Sequence, residues 1–506
     1  MSVDKKVFCG LLLWSVAVLL LMSSDSPIHG YWDRLDSAIF YTSGKALMSG
    51  MKPYVDFADS KGLLLWVIYG VGYLLSPHTY HGVWILSCLC YCGILYYNYK
   101  TAQLVLGDVR RSVVVAMVMP FFYFQYWFHD DVRAEDFCAL FVAISLYYQL
   151  RVLYNCRSAT ARRTDAAAAA KRTVRRTGFI LGGCFMALVM IKFSIAIMQG
   201  AMLLTVAYYY LRYARRQLIP MLLWMAAGMA TVALPFVIYM LMTGTFKAFI
   251  TEYFVKTMMT VQTEDGVSAT YLEEVSGALG TPKRLALLMA LLVCGWFASR
   301  RLPYVRYAPL FASLVFFAIC TRHTLFHYYN ICCVFLIFLP IQFLSHAESP
   351  LRLRTMAVIA ACLLGWGISE NVREVSHLHK VCIWTMQTRE HSHNYFTSVI
   401  DGEKPAILYL YGCDYGYGME SEALPAGKYW TYQLGTTPEM EKEHVRPLLE
   451  KRADYIIAND YERCERKGYD DERICSYGYE LLCKRPYNNF RGELRENHIY
   501  VRNDLE

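Results

Sequence analysis

The stretch WDRLDSAIFYTSGKALMSGMKPYVDFADSKGLLLW, Trp32 to Trp66, lies between two apolar runs. It crowds acids, lysines and tyrosines into a connection far longer than a turn requires. Carboxylates at a bilayer edge are costly unless they have partners or a task. The loop therefore reads as the seat of function, held at a membrane surface by its apolar flanks.

The flanks follow from composition. Of 506 residues, 56% are hydrophobic and 18% charged. Soluble domains run to about 45–50% apolar and about 25% charged. The apolar excess collects in runs of roughly 15–24 residues, enough to cross a hydrocarbon core of about 30 Å. A polytopic α-helical membrane protein is expected. The first run, Val7 to Met22, follows Lys5 and Lys6 and is not followed by an A-x-A site, so it reads as an uncleaved signal anchor.

Net charge is +8. The densest basic segment holds Arg151, Arg157, Arg162, Arg163, Lys171, Arg172, Arg175 and Arg176 against Asp165. It reads as a cytoplasmic loop obeying the positive-inside bias, and no nucleic-acid partner is expected. Most of the 17 cysteines lie in apolar runs and act as small hydrophobes. Cys413, Cys464, Cys475 and Cys483 fall in the polar tail without a C-x-x-C pair, which disfavours zinc and leaves one or two disulfides open.

Basic clusters at Lys5/Lys6, Arg110/Arg111, Arg151 to Arg176, Arg212/Arg215/Arg216, Arg300/Arg301 and Arg352/Arg354 mark the cytoplasmic side. From residue 113 onward, spans near 113–128, 136–153, 178–193, 195–211, 218–242, 284–298, 305–321, 329–345 and 354–370 alternate across the membrane. Before that, runs 7–23, 62–76 and 80–99 make one too many. Segment 62–76 is the shortest and reads as an interfacial helix. About 11 spans result, with the C-terminus outside. The expected division is a membrane domain, 1–370, with outer loop 24–79, and an extracytoplasmic α/β domain, 371–506. In the latter, PAILYLY, ADYIIAND, ICSYGYELLC and HIYVRND read as strands, and Thr437 to Arg452 as a helix capped by Thr437.

Candidate chemistry collects on the outer loops. Asp36 opens a predicted amphipathic helix, Asp36 to Met48, where it is either a simple cap or a carboxylate able to take a proton from a hydroxyl. Asp33, Asp56, Asp59 and Lys61 accompany it. FHDDVRAEDF gathers His129, Asp130, Asp131, Arg133, Glu135 and Asp136. Such a loop either solvates its own ion pairs, or holds a divalent cation through its acids and an anion through Arg133. Lys192 either snorkels to the interface or meets a lipid phosphate. RHTLFHYY supplies Arg322, His323, His327 and Tyr328 at another outer end, and loop 243–283 is long enough for a lid.

The pattern D-x3-F-Y-x5-L-x2-G-x2-P-Y-x-D-F-x-D-x-K-G, Asp36 to Gly62, resembles the first outer loop of GT-C glycosyltransferases, the superfamily of protein O-mannosyltransferases and lipid A aminoarabinose transferases. The resemblance implies a catalytic Asp at Asp36 and the family's loop lysine at Lys61. It implies a second acid at Asp130 or Asp131, and Lys192 as the lysine late in the span after the basic loop. Asp36 is followed by Ser37 where the family often has Glu, and Lys61 by Gly-Leu where it often has Pro-Pro. The implied reaction is inverting transfer of a sugar from a polyprenyl-phosphate donor to a hydroxyl of a glycan, lipid or protein at the outer face, in a bacterial inner membrane. Lys192, Arg133, Arg322 and Lys61 are expected at the donor phosphate. Tyr41, Asp59, Asp130, Asp131, Glu135, His323, His327 and Tyr328 are expected at the substrates. The resemblance implies no certain cofactor and leaves a divalent metal open. The rival reading is a transporter or flippase of lipid-linked glycans, which predicts paired repeats with midplane ionisable residues; the chain shows no such repeat.

Overall fold

The structure, a computed structural model, describes residues 3–23, 26–27, 35–77, 79–127, 133–159, 166–260, 326–345, 400, 402–412, 417–432, 437–459, 461–488 and 494–505. Among the described residues, nine helices come first: α1 Val3–Met22, α2 Leu35–Met48, α3 Leu63–Leu75, α4 His81–Leu106, α5 Val109–Trp127, α6 Ala134–Ala159, α7 Ala166–Ile191, α8 Phe193–Tyr213 and α9 Arg215–Thr243. After α9 come α10, Phe246–Phe249, a π-helical turn, Ile250–Lys256, and α11, Thr257–Thr260. Among the described residues, three stretches are long and apolar enough to cross a bilayer: Arg172–Ile191, Phe193–Arg212 and Arg215–Thr243. The expected spans 284–298, 305–321 and 354–370 lie outside the described residues. The expected span 329–345 is helical, but it winds as a 3-10 helix over Phe326–Ile337 before α12, Phe338–Ser345.

The chain divides into two compact units that interleave in sequence. One is Met1–His29, Ile85–Phe236 and Ala269–His377; the other is Gly30–Trp84, Val237–Ser268 and Leu378–Glu506. In the first unit, Tyr148, Val152, Val174, Leu181, Val206, Tyr210 and Met221 form a core across α6 to α9. Helices α7 and α9 cross so closely that a Cβ on Gly182 would overlap the Met225 carbonyl. Small residues permit such approach, which is how apolar helices associate without a hydrophobic drive between them.

The second unit joins the first loop to the tail. Its tail holds a five-stranded sheet in the order β2-β1-β3-β5-β4. The strands are β1 Ala406–Tyr409, β2 Leu424–Pro425, β3 Tyr455–Ala458, β4 Tyr479–Asn488 and β5 Leu494–Arg502. β1 is parallel to β2 and β3, while β5 runs antiparallel to both β3 and β4. The core under the sheet includes Leu408, Tyr411, Val445, Leu448, Ile456, Ile474 and Tyr500. Helices α13, Tyr417–Glu420, and α14, Pro438–Leu449, precede β2 and β3; α15, Tyr461–Arg466, and α16, Asp471–Ser476, precede β4. Thr437 caps α14 as expected, its hydroxyl accepting from the Met440 N–H at 3.3 Å.

Two expectations need correction. ICSYGYELLC is not one strand. The Asp470 carboxylate accepts from the Arg473 N–H at 2.8 Å and so caps α16, Gly478 turns the chain at φ +91°, and the strand begins at Tyr479. Helix α2 is not amphipathic with one wet face. Ser37, Thr42, Ser43 and Lys45 are buried as fully as Ala38, Phe40, Tyr41 and Ala46. The expected amphipathic helix has no polar face left to water, because tertiary packing covers it on nearly every side.

Candidate functional site

Within the second unit, the first loop folds around a tight turn and a helix crossing. The Asp56 carboxylate accepts from the Lys52 N–H at 2.6 Å, and the Tyr54 N–H donates to the Phe57 carbonyl at 2.7 Å. Tyr54 sits at φ +65°, sparsely populated for a side chain of its size. It holds that conformation because its ring and that of Phe57 insert beside Trp66, with ring centroids 4.8 and 5.0 Å away. The Tyr54 hydroxyl donates to the Lys61 carbonyl at 3.0 Å. Burial, then the neighbouring Tyr253 and Asp59, push the Tyr54 phenol well above its ordinary pKa, so it stays neutral. The G-x2-P-Y-x-D-F part of the motif is thus a structural turn, and it sets the position of Asp59 and Lys61 just beyond it.

The Asp59 and Lys61 side chains lie 3.8 Å apart, and the Lys61 ammonium also stands 5.2 Å from the centre of the Phe40 ring on α2. Asp36 lies in the first turn of α2, half-buried. Helix α2 is fixed against α3 at Gly44 and Gly70: a Cβ on Gly44 would meet the Gly70 nitrogen at 2.5 Å. Tyr41 is fully buried, and its hydroxyl donates to the Ser76 carbonyl at the end of α3 at 2.9 Å. At 13 residues α3 extends about 20 Å, short of a bilayer core of about 30 Å.

Sequence reading passes over two features of this unit. Lys45, 1% exposed, donates to the carbonyls of Gly418 and Ser421, the latter at 2.7 Å, and so ties α2 to the tail. Glu252, in the π-helical turn, accepts from Lys428 at 2.5 Å and from Tyr429 at 2.6 Å, with Lys256 at 3.0 Å. Burial opposes its ionisation, but the hydrogen bonds from Lys428, Tyr429 and Lys256 outweigh it and hold the carboxyl below its usual range. The Tyr429 phenol is pushed far up by burial and by donating to Glu252. The Ala58 N–H donates to the Lys428 carbonyl at 2.8 Å, so the first loop meets the same knot. Glu252 and Lys256 stand at i and i+4, a local signal; nothing local marks Lys428 and Tyr429.

In the first unit, α6 begins with a reciprocal cap. The Arg133 N–H donates to the Asp136 carboxylate at 2.8 Å, and the Asp136 N–H donates back to the Arg133 carbonyl at 3.2 Å. Lys192 interrupts α7 and α8 with an extended backbone, and its ammonium is paired with Glu135. Both side chains are largely buried, which makes this a desolvated ion pair rather than a snorkelling lysine. Arg322, His323, Asp130 and Asp131 lie outside the described residues; of His327 and Tyr328 only the helical backbone is described. Among the described residues, no group of three or more His, Cys, Asp or Glu could hold a metal ion. Among the described residues Cys464, Cys475 and Cys483 form no disulfide, and Cys413 lies outside them.

No protein-family profile matches the chain, and no curated protein sequence does. Solved structures do. The crystal structure of ArnT, an aminoarabinose transferase, from Cupriavidus metallidurans bound to undecaprenyl phosphate aligns over 98% of this chain and 97% of that one, at TM-score 0.60 and 13% identity. The same protein in its apo state aligns equally, with TM-score 0.60, 13% identity and the same 98% and 97% coverage. At 13% identity the likeness is one of fold: the chain has the fold of these ArnT structures.

Proposed function

We propose that this protein is an inverting glycosyltransferase that moves a sugar from a polyprenyl-phosphate donor to an acceptor hydroxyl at the outer face of the membrane. The observation that carries the reading is the near full-length likeness to a transferase crystallised with undecaprenyl phosphate. Asp36 on a buried, immobilised helix supports it. In the proposed step the Asp36 carboxylate takes the proton of the acceptor hydroxyl. The freed oxygen attacks the anomeric carbon from the face opposite the phosphate. The bond from that carbon to the phosphate oxygen breaks, and polyprenyl phosphate leaves with the electron pair. Attack from the opposite face inverts the configuration.

A lipid phosphate leaves well once its charge is met by cations, so no strong general acid is needed. Lys61 takes that role in the unit that holds Asp36, with Asp59 fixing its ammonium. Lys192, Arg133 and Arg322 are the further phosphate candidates. Tyr41, Asp59, Asp130, Asp131, Glu135, His323, His327 and Tyr328 are the candidates on the substrate side.

The test compares cells lacking the gene, cells carrying it and cells carrying Asp36→Asn, by mass spectrometry of lipid-linked sugars and surface glycans. Loss of the gene should raise one polyprenyl-phosphate sugar and remove one glycan modification. Asp36→Asn should match the loss, since a positioned base is worth about 10²–10⁴ in rate. A variant that is folded and drains the donor at the wild-type rate would falsify the assignment of Asp36.

A further inference from the structure

We propose that the arginine-lined end of helices α7, α8 and α9 is a binding surface for anionic phospholipid headgroups. The proposal rests on these helices crossing a bilayer and not on the transfer step.

Sequence supplies the charge. Between Asp136 and Glu252 the chain carries a single acid, Asp165, against many arginines. The stretches long and apolar enough to cross a bilayer begin at Arg172, end at Arg212 and begin again at Arg215. Folding brings those ends together. Ala214 alone separates α8 from α9, so Arg212, Arg215 and Arg216 share one end. A Cβ on Gly178 would meet the Met221 carbonyl at 2.6 Å, and one on Gly182 would overlap the Met225 carbonyl. The contacts advance together along both helices, so α7 and α9 run parallel. Six residues before Gly178 and Met221, about 9 Å down each axis, stand Arg172 and Arg215. Arg172, Arg175, Arg176, Arg212, Arg215 and Arg216 therefore gather at one end of the bundle, and all six are exposed.

Energetics calls for an anion from outside the chain. Arg215 and Arg216 lie in the first turn of α9, which holds no acid and where the helix dipole disfavours cations. Among the described residues, no carboxylate pairs with Arg172, Arg175, Arg176, Arg215 or Arg216. Two of these rest on rings instead. The Arg175 guanidinium lies 4.0 Å from the centre of the Trp224 ring, and that of Arg176 lies 6.0 Å from the centre of the Tyr148 ring. Such rings are typical of the depth at which a membrane meets water. Next to the arginines stand Phe179 on α7, Leu211 on α8, and Ile219, Leu222 and Leu223 on α9, all exposed. A soluble anion gains nothing from that apolar margin. A phospholipid does, with its phosphate on a guanidinium and its acyl chains along the apolar side chains. The guanidinium fork takes two oxygens of one phosphate, and a dense basic cluster at the ends of membrane helices selects anionic headgroups over zwitterionic ones.

The experiment reconstitutes the full-length protein in phosphatidylcholine bilayers. Electron spin resonance then measures how much spin-labelled phosphatidylglycerol and spin-labelled phosphatidylcholine the protein holds at its surface. The wild type should hold phosphatidylglycerol at least about fivefold more strongly, the factor expected of one basic group near an anionic headgroup. Salt at about 1 M should shrink that ratio, since charges are then screened within about 3 Å. Arg172→Gln, Arg215→Gln and Arg216→Gln together should lower it at least about threefold, and the matching lysine variant, which keeps the charge, should stay within about twofold of the wild type. Thermal unfolding checks that each variant is folded; if the triple glutamine variant is not, Arg175→Gln with Arg176→Gln reads the same ratio. A wild-type ratio near one overturns the proposal, as does an unchanged ratio in the folded glutamine variant. Binding of a short DNA duplex that the glutamine variant loses, with no preference between the two lipids, would make the patch a site for soluble polyanions and overturn it too.

Discussion

Glu252 keeps a negative charge in a setting that would by itself remove it. Two ammonium groups and a phenol converge on its two oxygens, and Lys256 also donates to the Tyr429 hydroxyl at 2.6 Å. Such a network is expensive to break in part, because truncating one partner strands the others away from water. Glu252→Ala should therefore cost about 3–5 kcal/mol, while Lys428→Met, which leaves Lys256 and Tyr429 in place, should cost less. In a double-mutant cycle of Glu252→Ala with Lys428→Met, a coupling of about 1–3 kcal/mol is expected. Simple additivity of the two thermal shifts would show that the bond at 2.5 Å carries no stability of its own. Lys192 and Glu135 are a comparable pair. A charge in an apolar run marks Lys192 in the sequence, and an acid-rich loop marks Glu135; nothing there pairs the two, because they are 57 positions apart.

At the scale of elements, the helix α2 crosses α3 at its closest point through Gly44. A Cβ on Gly44 would lie 2.5 Å from the Gly70 nitrogen and 2.8 Å from the Tyr69 carbonyl carbon. These are backbone atoms, so no rotamer change can relieve the overlap. Gly44→Ala should push α2 away from α3 and cost about 1–3 kcal/mol. Because Asp36 rides on α2, the same shift should reduce transfer by about 10²-fold, the usual penalty for a displacement of about 1 Å at a reacting group. Thermal unfolding and transfer rate, measured on one preparation, should fall together. A variant with both at wild-type values would mean that the crossing does not position Asp36. Much of this region is legible in the sequence. Gly62 to Ser76 is too short and too rich in glycine for a span, and the structure shows a 13-residue helix there. The turn residues Pro53, Tyr54 and Asp56 announce a tight bend. The all-round burial of α2 is not legible, since Ser37, Thr42, Ser43 and Lys45 are buried by distant segments that leave no local trace. The π-helical turn at Ile250–Lys256 leaves none either, because its periodicity over seven residues barely departs from that of an α-helix.

At the scale of the whole molecule, composition is enough to read helices long and apolar enough to cross a bilayer, and alternating strand and helix patterns are enough to read the sheet and helices of the tail. The grouping of the first loop with the tail in one compact unit is out of reach. It rests on pairs such as Lys45 with Gly418, which are 373 positions apart. His444 shows how such a unit acquires a pH dependence. Its ring is fully enclosed, Nδ1–H donates to the Tyr429 carbonyl at 2.6 Å, and Nε2 accepts from the Tyr411 N–H at 3.0 Å. Both nitrogens are satisfied only when the imidazole is neutral. Burial lowers its pKa from 6.5 to about 4, against the smaller opposing pulls of the Tyr429 carbonyl and Glu441. The folded state thus binds its proton less readily than the unfolded chain does. Stability from this residue is complete above pH 6.5, declines as pH falls from 6.5 toward 4, and is lost below that, a total of about 3 kcal/mol. Asp471, held down to about 2, gives up its contribution only below 3.8 and does not change between pH 7 and 5. Unfolding followed by tryptophan emission should therefore show a lower midpoint at pH 5 than at pH 7 for the wild type. His444→Gln, which cannot titrate, should start less stable at pH 7 and lose distinctly less between the two values. Parallel losses in the two proteins would show that His444 is not the residue through which acid loosens this unit.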